Sequence, residues 1–459
     1  MYSNHNYFPP SLLLRPRIEY IDIMNVTIVG AGYVGLVSGA CLAKSGHTVH
    51  TIDINEEKIA LLNDGISPIF EPQLEELIKA NKESKKLFFS TDLSTAVKSS
   101  DIILICVNTP PDREGKADLT YLKSAIENLS PQLDNTKVVV LKSTVPVGTA
   151  KWVEDFFRTK FKLETPIVSN PEFLRQGSAV HDFLFPDRVI LGGKSKWALD
   201  LAEELHHPFL PKECKVIRTD HTTAELIKYA ANAFLAAKIS FINYFSLLAE
   251  QVGANVKDIQ AGVAADPRIG PHMLYPGIGF GGSCLPKDLA ALIQCAKSND
   301  IESDFLESIA NINKKVKMRF AQKVNEVFKG DLENKNIAIW GLSFKPKTDD
   351  IREAPSIDII NFLIKHKASI TTFDPQASKH IEDIFGGKIK YAPNQYEALN
   401  NADALLILTE WEEFQFPSFT KIRKLMKLPR IFDGRNIYDA ERVKNLGFEY
   451  YAIGLGSQG

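Results

Sequence analysis

The chain has 459 residues, 44% hydrophobic and 24% charged, with a formal net charge of −2. That length exceeds one ordinary core, so two or three domains are expected, and the balanced charge leaves no electrostatic footprint for nucleic acid or an anionic membrane. No apolar run reads as long enough to span a bilayer, and five cysteines without a CxxC pair argue against a disulfide framework or zinc site and for a reducing, cytoplasmic setting.

Residues 1–23 precede Met24, and their SLLLRP stretch is too short and too soon interrupted for a secretory segment. They are read as a disordered extension. NVTIVGAGYVGLVSGACLAKSGHTVHTIDI, 25–54, then predicts strand, glycine turn, helix and strand. Gly30 allows the tight turn, Gly32 lets backbone approach a pyrophosphate, and Gly35 permits close helix–strand packing. The helix N-terminus faces the phosphates with its partial positive charge. Asp53, 18 residues after Gly35, accepts from ribose hydroxyls and repels a 2′-phosphate, which favours NAD over NADP. Tyr33 and Val34 in the turn and Lys58 beyond Asp53 complete this group of expected cofactor contacts. Cys41 and Cys106 fall in a helix and a strand and read as packing residues.

Apolar runs at 101–107, 137–143, 165–170 and 188–193 alternate with helical patterns. Such alternation predicts a parallel sheet buried on both faces. From Thr222 to Val252 the chain is alanine-rich and helical, apolar around most of its girth, and so expected to be buried. Glu225, Lys228 and Asn232 share one face of it. That stripe is either a satisfied buried network or a reactive one; its lysine either snorkels or sits where burial lowers its pKa.

GFGGSCLPKD, 279–288, holds one thiol among glycines. The glycines let a substrate approach the backbone and leave Cys284 bare, as a nucleophile requires. Lys287 and Asp288 are placed to tune it. The plainer reading is a glycine-rich turn with an incidental cysteine. Strand-like runs at 336–342, 368–374, 402–409 and 429–435 then restart the α/β rhythm without GxGxxG. The fold class expected is therefore α/β, with two Rossmann-like domains of parallel sheet joined by a long central helix and a helical dimerisation domain. The boundaries expected are 24–215, 216–328 and 329–459.

A nicotinamide site and a nucleophilic thiol in one chain point to a particular chemistry. Oxidising an alcohol gives an aldehyde, which has no hydride to yield until a nucleophile adds. A thiolate makes it a thiohemiacetal, a second oxidation makes that a thioester, and water frees the acid.

GAGYVG, VNTPPD (107–112), STVPVGT (143–149), SNPEFL (169–174), PDRVILGG (186–193), ELIKYAANAFLAAKISFIN (225–243), DPRIG (266–270), GFGGSCLPKD and FKPKTDDIREAPS (344–356) follow one another as in UDP-glucose 6-dehydrogenases. The sequence from 24 to 440 thus resembles the UDP-glucose/GDP-mannose dehydrogenase superfamily. The resemblance implies four-electron oxidation of UDP-glucose by NAD, with no metal. Cys284 is then the nucleophile. Lys228 and Asp288 act on the sugar hydroxyl through an ordered water, and Lys228 with Asn232 stabilises oxyanion charge. Glu172 activates water for thioester hydrolysis. Thr144 and Thr109 lie near the nicotinamide or the reacting centre, with Lys287 and Arg352 on the NAD side. Phe173, Leu174, Tyr275 and Gly281 join the substrate contacts. Arg268 reaches a neighbouring subunit's sugar site in a homodimer or larger homo-oligomer. Phe344, Lys345 and Arg435 form the uridine-diphosphate end. Two positions depart from the pattern. Gln176 replaces a common glutamate and so cannot act as a base, and Tyr244 replaces another, read as a packing change. GDP-mannose oxidation, a single-step hydroxyacid dehydrogenase and a non-catalytic nucleotide-sugar sensor are the competing readings.

Overall fold

The computed structural model describes residues 23–112 and 114–456. Apart from Ile23, the extension expected over 1–23 lies outside the described residues. The first sheet holds β1 (Asn25–Val29), β2 (Thr48–Ile52), β3 (Leu87–Ser90), β4 (Ile102–Ile105), β5 (Val138–Leu141), β6 (Ile167–Ser169), β7 (Arg188–Gly192) and β8 (Lys215–Thr219). Their order is β3-β2-β1-β4-β5-β6-β7-β8. Neighbours run parallel except β6 and β7, which meet antiparallel through Ser169 and Gly192. The residues of β4 and β5 are all buried, as expected of strands covered by helices on both faces.

The second sheet holds β9 (Asn336–Trp340), β10 (Ser369–Phe373), β11 (Lys390–Tyr391), β12 (Ala404–Ile407), β13 (Arg430–Asp433) and β14 (Glu449–Ala452). It is ordered β11-β10-β9-β12-β13-β14. Both sheets thus carry the Rossmann order 3-2-1-4-5-6 outward from their first strand. The likeness extends to the first turn. Gly30 N donates to Ile52 O at 2.7 Å and Gly341 N to Phe373 O at 2.9 Å. Ala31 N donates to Asp53 at 2.8 Å and Leu342 N to Asp374 at 2.7 Å. There the likeness ends. Asp374 also takes the Ser343 hydroxyl and the Trp411 indole N–H, and the next helix waits until Pro355. The second turn therefore has neither an open carboxylate nor a helix N-terminus facing a phosphate.

Between the sheets lies the helix His221–Val252, one residue longer at its start than expected. Asp220 caps it through Thr223 N at 2.9 Å, and it ends at Gly253, φ +75°. Its 32 residues extend about 48 Å. The helices Leu285–Ser298 and Asp304–Val327 pack against it. Contrary to the expectation of burial all round, Leu226, Phe234, Phe241, Tyr244, Leu248 and Val252 are exposed in the chain, Phe234 and Val252 at 66%. By length and composition this helix is apolar enough to cross a membrane, which the sequence reading overlooked. Its buried Glu225, Lys228, Asn232 and Asn243 instead mark a protein-packed spine.

Candidate active site

The first site forms where β1 turns into the helix Tyr33–Lys44. A Cβ on Gly35 would stand 1.8 Å from the carbonyl oxygen of Gly30, so only glycine lets the helix approach so closely. At Gly32 the nearest neighbouring atom to such a Cβ is Asn108 Oδ1, 3.5 Å away; the space that Gly32 leaves is open. Asp53 accepts from Asn55 N at 3.0 Å and Lys58 Nζ at 3.0 Å as well as from Ala31 N. Burial raises its pKa, but these bonds outweigh it and hold the carboxyl below its ordinary value. An open turn at a helix N-terminus beside an ionised carboxylate fits an NAD pyrophosphate and ribose. Tyr33 turns its hydroxyl onto Glu71, which also receives the amides of Gly177 and Ala179 at 2.6 and 2.7 Å. Val34 packs partly buried against the core of the first sheet. Thr109 Oγ1 donates to the carbonyl of Thr144 at 2.7 Å, which ties together the loops after β4 and β5. Cys41 and Cys106 are buried as expected, and burial pushes both thiols up to about 12.

The second site assembles from three distant segments. Glu172 follows β6, Lys228 and Asn232 stand on the spine helix, and Cys284 and Asp288 open the helix Leu285–Ser298. Lys228 Nζ is 3.3 Å from Glu172 Oε1 and 5.1 Å from the centre of the Phe173 ring. Arg188 stacks 3.9 Å from the same ring. Asn232 Nδ2 donates to Asp288 at 2.6 Å, and so does Lys287 Nζ, also at 2.6 Å. Glu172 accepts Leu174 N at 2.5 Å, which fixes the carboxylate in its turn.

The electrostatics differ from the sequence reading. Burial opposes charge on Lys228, but its carboxylate neighbours, Glu172 foremost, outweigh it and hold the ammonium above its ordinary range. Of the two readings left open for this lysine, snorkelling or a lowered pKa, neither describes it: it is buried and its pKa is raised. Burial, then Glu172, raises the Cys284 thiol; Lys228 pulls it down and Asp288 adds to the rise. Without ligands the sulfur is therefore a thiol rather than an activated thiolate.

The glycines of the thiol loop serve packing. A Cβ on Gly281 would lie 2.3 Å from Glu353 O, and one on Gly282 2.8 Å from the Phe344 ring. Gly282 N donates to Arg352 O at 2.8 Å, and Asn313 bonds both backbone groups of Phe280. The loop is bare because the second sheet's first turn lies against it. Arg435 braces the same junction through the carbonyls of Leu408, Gly279 and Phe344 at 2.8, 3.1 and 3.1 Å. Lys345 stands 5.7 Å from the Phe344 ring.

Other expected residues lie outside this hydrogen-bonded cluster. Arg268 is exposed and paired with Asp266, Tyr275 is exposed, and Arg352 is clamped by Asp350. Gln176 donates to Asp350 at 2.9 Å; at this position the amide links the first and last thirds of the chain. Tyr244 is half exposed on the spine's open face, so it is no packing change within the chain. Glu225, on the stripe left open between a satisfied network and a reactive one, receives Gly148 N and Ala150 N at 2.6 and 2.8 Å, as a buried network does. Lys142 was missed. Buried, it donates to Asn170 Oδ1 at 3.0 Å and steadies the turn that carries Glu172. Nothing in KSTVP marks it, because a lone lysine at a strand end reads as solvated.

Comparison with known proteins agrees with this geometry. Residues 24–210, 222–315 and 338–440 match the NAD binding, central and UDP binding domains of the UDP-glucose/GDP-mannose dehydrogenase family. The chain belongs to that family. It is 43% identical to UDP-glucose 6-dehydrogenase TuaD of Bacillus subtilis (strain 168), over 94% of this chain and 93% of the relative. It is also 43% identical to the UDP-glucose 6-dehydrogenase of Rhizobium meliloti (strain 1021), over 94% and 99%. Among solved structures, a UDP-glucose dehydrogenase from Pyrobaculum islandicum superposes with a TM-score of 0.86 at 31% identity, over 97% of this chain and all of that one.

Proposed function

We propose that the protein oxidises UDP-glucose to UDP-glucuronate in two NAD-dependent steps through Cys284. The observation that carries this reading is the meeting of Cys284, Lys228, Asp288, Asn232 and Glu172 from three segments, beside an open dinucleotide turn. NAD bound at the Gly30 turn supplies the hydride acceptor for each oxidation.

The residues divide the remaining work. Asp288, held by Asn232 and Lys287, receives the hydroxyl proton through a water as the alcohol becomes aldehyde. The Cys284 sulfur bonds to the aldehyde carbon and its proton passes to the new hydroxyl, which gives a thiohemiacetal. Loss of the second hydride and that hydroxyl's proton leaves a thioester. The Lys228 ammonium and the Asn232 amide stabilise the oxyanion at each addition. Glu172 takes a proton from water as the water oxygen bonds to the carbonyl carbon, and it returns that proton to the sulfur as the C–S bond breaks, which releases the acid and the thiol.

Thr144, Thr109 and the Gly30, Gly32, Tyr33, Val34, Gly35, Asp53 and Lys58 group border the cofactor in this reading, with Lys287 and Arg352. Phe173, Leu174, Gly281, Phe344, Lys345 and Arg435 border the sugar nucleotide. We take the domains as 24–215, 216–328 and 329–459, in a cytoplasmic setting. The exposed apolar face of the spine suits a second copy of the chain, which would also give Arg268 and Tyr275 their partner. Incubation with NAD and each of UDP-glucose and GDP-mannose tests the substrate. Two NADH per UDP-glucose support the reading; activity with GDP-mannose alone, or one NADH per sugar, overturns it.

A further inference from the structure

Gln176 departs from the family pattern and has no task in the reaction proposed above. It lies on the strap that runs from Glu172 to the helix Ala179–Leu184. That strap is fixed along its length. Glu172 receives Leu174 N, Asp182 receives Arg175 N at 2.9 Å, and Glu71 receives Gly177 N and Ala179 N. Among the described residues, the hydrogen bonds from the strap to the last third of the chain come from the Gln176 side chain. Its Nε2 donates to Asp350 Oδ2 at 2.9 Å, and its Oε1 accepts from Thr348 Oγ1 at 3.4 Å. Gly177 presses on the same segment, where a Cβ would lie 2.7 Å from Lys347 O.

The far side of that segment meets the thiol loop. Asp350 accepts Arg352 N at 2.9 Å, Nε at 2.8 Å and Nη2 at 2.6 Å. Arg352 O in turn accepts Gly282 N at 2.8 Å. Residues 347–353 thus lie between the strap that carries Glu172 and the loop that carries Cys284, and they crowd a glycine on each. Burial raises the Asp350 carboxyl, but Arg352 and the Gln176 amide outweigh it and hold it below its ordinary range. Ionised, Asp350 only accepts, so residue 176 has to bring the hydrogen. An amide always carries one; a carboxylate there would first need a proton.

We propose that Gln176 is a positioning residue for thioester hydrolysis: through Asp350 and Arg352 it keeps the turn of Glu172 in register with the loop of Cys284. In that step the water oxygen bonds to the thioester carbon and Glu172 takes the water's proton. The C–S bond then breaks as the sulfur receives that proton. Base and leaving group belong to separate segments, and a misplacement of about 1 Å between them costs up to about a hundredfold. The two oxidations draw instead on Lys228, Asn232 and Asp288. These stand on the spine and on the helix Leu285–Ser298, and Gln176 bonds to neither. The latch therefore bears on hydrolysis and spares the hydride transfers. The inference rests on the double oxidation proposed above.

Gln176→Leu keeps the bulk and removes the donor, and two measurements read the result. Hydrogen exchange in the ligand-free protein reads the latch without catalysis. The Gly282 amide should exchange about tenfold faster, while the spine helix exchanges as before. Rapid mixing with NAD and UDP-glucose reads the step. The variant should release two NADH per active site at the unaltered rate, then settle to a steady phase about tenfold slower, with the uronyl group on Cys284 by intact mass. Because only the last step slows, kcat and KM fall together and kcat/KM for UDP-glucose stays within about twofold. Asp350→Asn combined with Gln176→Leu should be no slower than Asp350→Asn alone, since both changes open one latch. Unaltered exchange at Gly282 overturns the proposal, and so does a first turnover slowed as much as the steady phase. Gln176→Asn, whose amide is drawn back by one methylene, repeats each reading should the leucine variant fail to fold. One NADH per sugar in the unaltered chain sinks the double oxidation. Two per sugar, with exchange at Gly282 unmoved in the variants, sinks only the latch.

Discussion

Lys228 and Glu172 meet as a buried ion pair, 3.3 Å apart, with side chains only 4% and 7% exposed. Each is the other's counter-charge, and each has its own task in the proposed reaction. Replacing Glu172 with Gln keeps the shape and removes the base. Steady-state kcat should fall by about 10² to 10⁴. The first turnover should still give two NADH per active site, followed by a slow phase, in rapid-mixing measurements. Intact-mass spectrometry in that phase should find the uronyl group on Cys284. A variant without an early burst would mean that Glu172 acts before the thioester.

Cys284 is held as a thiol by burial and by Glu172, with Lys228 opposing. Its alkylation by iodoacetamide in the ligand-free protein should therefore rise about tenfold per pH unit from neutrality to beyond pH 9. A plateau already reached at pH 7 would show a preformed thiolate. Cys284→Ser should keep NAD binding and lose the two-NADH turnover; unaltered overall activity would remove the thioester from the mechanism.

Gly35 has no room for a methyl group, since its Cβ would lie 1.8 Å from Gly30 O. Gly35→Ala should abolish NAD binding by calorimetry, because the helix can no longer close on the turn. Asp53→Asn should weaken NAD by about tenfold and narrow the preference over NADP. Equal NAD affinity in Asp53→Asn would place the ribose elsewhere.

The open face of the spine carries Phe234, Phe241, Tyr244 and Leu248. The unaltered chain should give a dimer in light scattering, and a charge in the middle of this face, Phe241→Asp, should leave a monomer. It should also lower activity if Arg268 completes the partner's site. A dimer that survives this change would move the interface off this helix.

The fold was largely legible because parallel strands covered on both faces write continuous apolar runs. IILI and VVVL announce β4 and β5. The edge and outer strands β3, β8 and β11 did not announce themselves: KVIRT and LFFS are short and mixed, since one side of each lacks the cover that forces a pure apolar run. The spine's start, end and polar stripe were readable from helical spacing, but the stripe's division of labour was not. Glu225 and Lys228 sit one turn apart and serve different partners, Gly148 and Ala150 for one and Glu172 for the other. Spacing says which residues share a face, never what that face meets. The glycines around Cys284 marked the right place, but their packing role was not legible. They make room for Glu353 and Phe344, and nothing within ten residues of the thiol reveals that.

That loop carries a practical lesson for anyone building chimeras in this family. The turn after β9 has given up its place for a dinucleotide to Ser343 and Trp411, and the residues up to Ala354 are free to run along 279–282 instead. A graft of the last third from a distant relative would bring a foreign ridge to a groove cut for the native one. Transplants should succeed only when 341–354 and 279–282 travel together as a matched lock.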